Sequence, residues 1–180
     1  MNNQAHTTSQ NQQKPWPFAF SPVLAELDLF QLLGLETLQQ DKKQKLFTEL
    51  QENVWLDVLG NRIEKHLSKS DFEQLKNLTN NQSKPEAVLE FLSEKVQNLP
   101  AIMFEASVEY KKRYFTDYLT TLAKVTYSKL EKQQQSRKEN KQLQTVQHQY
   151  SVIRHLLHYA EQDQWEKVRE LLPEFNNPNK

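Results

Sequence analysis

The sequence predicts an all-α fold: an irregular helical bundle with a long polar helix and a C-terminal helical hairpin. Three observations carry that expectation. Among 180 residues only Gly34 and Gly60 are glycine, so the backbone is seldom asked for a left-handed or sharply turned conformation. Neither glycine nor proline interrupts residues 101–172. Apolar residues recur at three- and four-residue spacings through most of the chain, the period of a helix that buries one face. Hydrophobic content of 37% against 26% charged residues suits a folded chain with a well-solvated surface.

Residues 1–14 are mostly Asn, Gln, Thr and Ser with little to bury, and they read as a disordered leader. The helical bundle is expected over 15–130. It opens with Trp16, Phe18 and Phe20 among prolines that favour an extended chain, either a strap on the domain's own body or a peptide for a partner. Ser21 as N-cap and Pro22 at the first helical position start a short helix, and Gly34 stops it. A second helix spans 41–67. Leu46, Leu50, Val54 and Val58 lie on one face, and Trp55, Leu59 and Ile63 lie nearly opposite. Such a helix is either central to a bundle or placed at an interface.

Ser70 and Glu73 form a capping-box pattern that opens a third helix, ending at Leu78. Pro85 begins a fourth, with Val88, Leu89, Leu92 and Val96 facing inward. Pro100 breaks the chain and restarts it as a long fifth helix, on which Phe104, Val108, Phe115, Leu119, Leu122 and Thr126 share one face. Apolar residues then thin out over 131–149, which reads as a polar helix or a hinge near Gln133. The stripe Val146, Tyr150, Ile153, Leu157 resumes, Asp163 and Glu166 repeat the capping pattern, and Trp165, Val168, Leu171 and Leu172 fill a last helix that Pro173 ends. Residues 150–175 thus form the expected hairpin, and 176–180 a tail.

Three stretches taken together have a familiar look: Leu29 through Leu38 (LFQLLGLETL), the apolar run 54–59 leading to Leu67, and 85–99 followed by an aromatic-bearing long helix. Over about residues 26–120 the chain resembles an uncharacterised all-helical family of bacteria with reduced genomes. The resemblance implies a bacterial, all-helical protein. It carries no catalytic residues, and the hairpin lies outside it.

Cysteine is absent, which removes disulfides, thiolate catalysis and cysteine zinc sites. No apolar run reaches the ~18 residues a membrane span requires, and a cytoplasmic location is expected. Phosphate loops, dinucleotide turns and nucleophile elbows need glycines at fixed offsets that this chain lacks. Carboxylates and serines show no paired catalytic context, so no enzyme and no cofactor are expected. His148, His155, His158 and Glu161 share one predicted helix, but their order is the reverse of the Glu-x-x-His pattern of di-iron bundles and has no counterpart elsewhere. They read as surface or structural groups, with no metal.

Net charge is zero overall but uneven: −3 over 1–60, −2 over 61–109, +6 over 110–141 and −1 over 142–180. The basic segment contains Lys111, Lys112, Arg113, Lys124, Lys129, Lys132, Arg137, Lys138 and Lys141, interleaved with tyrosines. Two functions follow as expectations. The first is a protein-interaction, adaptor or assembly module whose partner, or second copy, docks at Trp16, Phe18 and Phe20, at Trp55, Leu59 and Ile63, or at Trp165. The second is an accessory protein on RNA or a ribosome, held by the basic segment.

Overall fold

A computed structural model describes residues 18–81, 84–135 and 141–177, without the side chains of Gln135 and Lys141. The expected leader, Trp16, Arg137, Lys138 and the last three residues of the expected tail lie outside the described residues. The chain is all-α. In order it forms α1 (Pro22–Glu26), α2 (Leu29–Leu32), α3 (Gln40–Asp57), α4 (Lys69–Asn80), α5 (Pro85–Lys95), α6 (Leu99–Gln135), α7 (Lys141–Glu161) and α8 (Trp165–Asn176). No strand occurs among the described residues, and no helix there is long and apolar enough to cross a membrane.

Ser21 caps as the sequence implies, its hydroxyl accepting from the Val23 N–H at 3.3 Å. The single short helix expected up to Gly34 is instead two. Leu27 turns extended, and the Asp28 carboxylate accepts from the Gln31 N–H at 3.0 Å to start α2. This break lets Leu24, Leu27, Leu32 and Leu33 all point inward. Gly34 ends α2 with φ +66°, while the Leu35 N–H reaches back to the Phe30 carbonyl at 2.7 Å. That paired closure needs a left-handed residue, which glycine adopts without steric cost.

The second predicted helix also divides. After α3, residues Val58–Arg62 form a π turn and Ile63–His66 a 3-10 turn. On an uninterrupted α-helix, Val58 and Ile63 would sit about 140° apart at ~100° per residue. The Ile63 N–H instead donates to the Val58 carbonyl, an i to i+5 bond that stacks Ile63 one turn above Val58. Arg62 pins this turn, donating through Nε to Asp57 and through Nη2 to Glu109 of α6, each at 2.8 Å.

Four further expectations change at the residue level. The cap of α4 is Ser68, whose hydroxyl accepts from the Asp71 N–H at 3.1 Å, not Ser70. Leu89 points outward at 47% exposure while Phe91 takes its place inside, because the buried face of α5 is set by Val88, Leu92 and the contacts of α4. Asp163 is not a cap but the left-handed residue that closes α7, with φ +54°. The Gln164 N–H bonds to the Tyr159 carbonyl across it at 2.8 Å. Pro173 does not end the last helix, which continues to Asn176. Between α5 and α6, Asn98 adopts φ +65° and Pro100 follows at the start of the new helix, as the break there requires.

Two cores result. In the larger, α1, α2, α6, α7 and α8 enclose Leu24, Leu32, Phe115, Leu119, Leu156, Trp165 and Val168. In the smaller, the end of α3, the π turn, α4, α5 and the start of α6 enclose Val58, Ile63, Leu75, Leu92 and Val96. Both cores rest on α6. The C-terminal hairpin, expected to follow a polar hinge, is thus built into the same core as the first two helices. Helix α7 folds back along α6, bringing Tyr150 to 5.6 Å from Tyr127 and Asp163 onto Lys112.

Candidate functional site

Among the aromatic anchors expected at a partner surface, Phe18 and Phe20 settle on the chain's own body. Their rings stack at 5.2 Å, and both meet Phe104 edge-on, at 5.2 and 5.7 Å. Phe104 lies on the inward stripe of α6, yet it is 39% exposed. The three rings form an aromatic knot where the larger core runs out along α6, and Phe20 joins that core directly.

Two of the other proposed anchors lie inside. Ile63 is 0% and Trp165 1% exposed, so both belong to the chain's own core. The π turn removes Ile63 from the opposite face on which the spacing placed it. Trp165 packs against Phe115 at 6.2 Å, and its indole N–H donates to Asp163 at 3.0 Å. Trp55 and Leu59 are half-buried against the smaller core. The large apolar side chain of α3 that points most fully outward is Leu56, 64% exposed on the same helix as Glu49, Glu52 and Asn53.

The basic segment divides into engaged and solvated parts. Lys111 buries its ammonium against the end of α1 and donates to the carbonyls of Leu24, Ala25 and Leu27 at 2.8, 3.0 and 2.8 Å. Burial lowers its pKa below the ordinary lysine value. Lys112 donates to both carboxylate oxygens of Asp163, at 2.7 and 2.8 Å. Arg113 lies over the Tyr110 ring, 4.9 Å from its centre. Lys124, Lys129 and Lys132 are exposed; Arg137 and Lys138, and the side chain of Lys141, lie outside the description.

A cleft of about 260 Å³ opens between α6, α7, the end of α8 and the turn after α2. Leu122, Val152 and Phe175 give it an apolar wall, and Lys129, His148 and Glu174 stand at its polar side. His148 Nε2 lies 2.8 Å from the Glu174 carboxylate and so joins α7 to α8. Burial raises the pKa of Tyr118 on the cleft wall above the usual phenol value, with a further contribution from Tyr114. His155 and His158 instead flank the Tyr159 ring. No group of three or more metal-type ligands occurs among the described residues.

Sequence reading missed this cleft because Gly34, Thr126, Val152 and Asn176 come from four separate elements, with no spacing to connect them. It likewise counted Lys111 only as a charge, since nothing local marks a lysine that will cap a helix more than eighty residues away. Comparison of the chain with protein families, curated proteins and solved structures finds no match.

Proposed function

We propose that this protein is a non-enzymatic assembly or adaptor module that binds a protein partner through partly exposed apolar side chains at its surface. The aromatic knot of Phe18, Phe20 and Phe104 carries the reading. Large rings held rigidly by one another, with an exposed edge, offer contact area at small cost in side-chain entropy. The internal partners of Lys111 and Lys112 reduce the free positive charge that the RNA-binding alternative needs.

The test is quantitative mass spectrometry of material that co-purifies with the tagged full-length chain from its native cells. A defined protein set should be recovered with the wild type and fall about tenfold or more with Phe104→Ser, circular dichroism staying unchanged. Recovery of the same set by the variant would overturn the reading. RNA and ribosomal proteins in place of such a set, released as salt rises, would transfer the function to the basic segment.

A further inference from the structure

Two of the exposed large apolar side chains stand in oppositely charged surroundings. On α5, Glu86, Glu90 and Glu94 recur every four residues and form an exposed acidic stripe, bordered by Leu89 at 47% exposure. On the far part of α6, Lys129 and Lys132 follow Val125 by four and seven residues and share its exposed face, with Lys124 on the flank. None of these carboxylates and ammoniums pairs with an opposite charge among the described residues. Glu131, the carboxylate nearest the lysines in sequence, is engaged with the Tyr127 hydroxyl.

The acidic stripe works against α5 itself. Like charges four residues apart repel, and Glu94 stands in the last turn, where the helix dipole disfavours a carboxylate. The lysines of α6 cannot relieve it within one molecule. Tyr110 is the residue furthest along α6 that packs on the smaller core, to which α5 belongs. Lys124 lies a further ~21 Å down the helix at ~1.5 Å per residue. The two faces can therefore meet only between molecules.

We infer that the α5 face of one copy docks on the α6 face of a second copy. Leu89 packs beside Val125, and the three glutamates meet Lys124, Lys129 and Lys132. A second copy is the occupant that charge complementarity favours. The chain has zero net charge with its opposite signs held apart, so every copy carries the complement of both faces. The two faces differ, which makes the contact heterologous: each added copy leaves one face free, and growth gives chains or a closed ring. These faces are distinct from the aromatic knot, so the inference stands or falls separately from the proposed function.

The test is sedimentation velocity of the untagged full-length chain over a concentration series. At ~20 mM salt the average mass should rise with concentration, with a Kd of about 0.1 mM, fitting for a small interface. At ~300 mM salt the association should weaken about tenfold or more, as exposed charges are screened. Two variants, one with Glu86→Gln, Leu89→Ser and Glu90→Gln, the other with Val125→Ser, Lys129→Gln and Lys132→Gln, should each be monomeric alone. Mixed in equal amounts they should form a one-to-one dimer that grows no further, because one intact face of each kind remains. All six substitutions fall on exposed side chains; should either variant misfold on circular dichroism, the salt dependence and the other variant decide. Phe104→Ser should leave self-association unchanged. The proposal is overturned by a monomer at low salt up to ~1 mM, which would leave the faces to other proteins, by association indifferent to salt, by a mixture that stays monomeric, or by loss of association with Phe104→Ser.

Discussion

Lys111 shows how far a residue's role can depart from its type. Its ammonium satisfies three backbone carbonyls at the end of α1 that no intrahelical donor reaches. Lys111→Met keeps the apolar stem but strands those carbonyls. It should cost about 1–3 kcal/mol in chemical denaturation; an unchanged midpoint would mean that water serves them equally well. Asp163 and Asp57 give the fold an acid-sensitive element in each half. Burial pushes both carboxyls up. Hydrogen bonds and charge from Lys112, with the Trp165 indole, outweigh it at Asp163; at Asp57, bonds from Arg62 and Asn61 and the charges of Arg62 and Arg113 do so. Both folded-state pKa values therefore lie below the ordinary value of 3.8. A depressed folded pKa means that the unfolded chain binds protons first, so this stabilisation is present above that value and is lost as pH falls through the folded one. Asp163→Asn should flatten the fall in melting temperature at the acid end; both groups are substantially solvated, and the effect should be small.

At the scale of elements, the π turn is the decisive feature. An extra residue between Val58 and Ile63 brings both to the smaller core, and Arg62 holds the turn to α6. Deleting Gly60, whose missing Cβ would meet nothing within 4 Å, shortens the i to i+5 turn to an ordinary α turn with Ile63 still above Val58. The deleted chain should therefore remain folded. Deleting Glu52 within α3 instead rotates everything beyond it by ~100° relative to Leu50 and should abolish cooperative melting. Equal damage from the two deletions would refute this account of the turn. The caps of α4 and α8, Ser68 and Gln164, differ from the spacing's choice for a related reason. Ser68 and Ser70 are equivalent caps in composition, and the choice between them depends on where Leu67 leaves the preceding turn.

At the scale of the molecule, the described residues form a larger core of sixteen buried apolar side chains and a smaller one of ten, sharing α6. The larger holds Trp165 and Phe115 fully enclosed; the smaller has no aromatic side chain buried to that degree. Stability follows buried apolar area, so the two halves should open at different free energies. Native-state hydrogen exchange should find the amides of α4 and α5 less protected than those of α7 and α8. Uniform protection would instead mean that α6 couples both cores into one unfolding unit.

What the sequence by itself determined is local. Absence of glycine and proline, helical spacing, and the signals at Ser21, Gly34, Pro85 and Pro100 are properties of a few adjacent residues, and those features hold in the structure. The tertiary structure alone decided which faces are covered. Ile63 and Trp165 became core, Leu89 and Leu56 turned outward, Lys111 became a cap, and α7 returned along α6 to close a cleft from four distant segments. The physical reason is that hydrophobic burial is non-directional. A helix's apolar stripe states that something must cover it, but not which helix does. That choice rests on packing and on long-range bonds such as Lys112 to Asp163 and Arg62 to Glu109, whose partners no local pattern names.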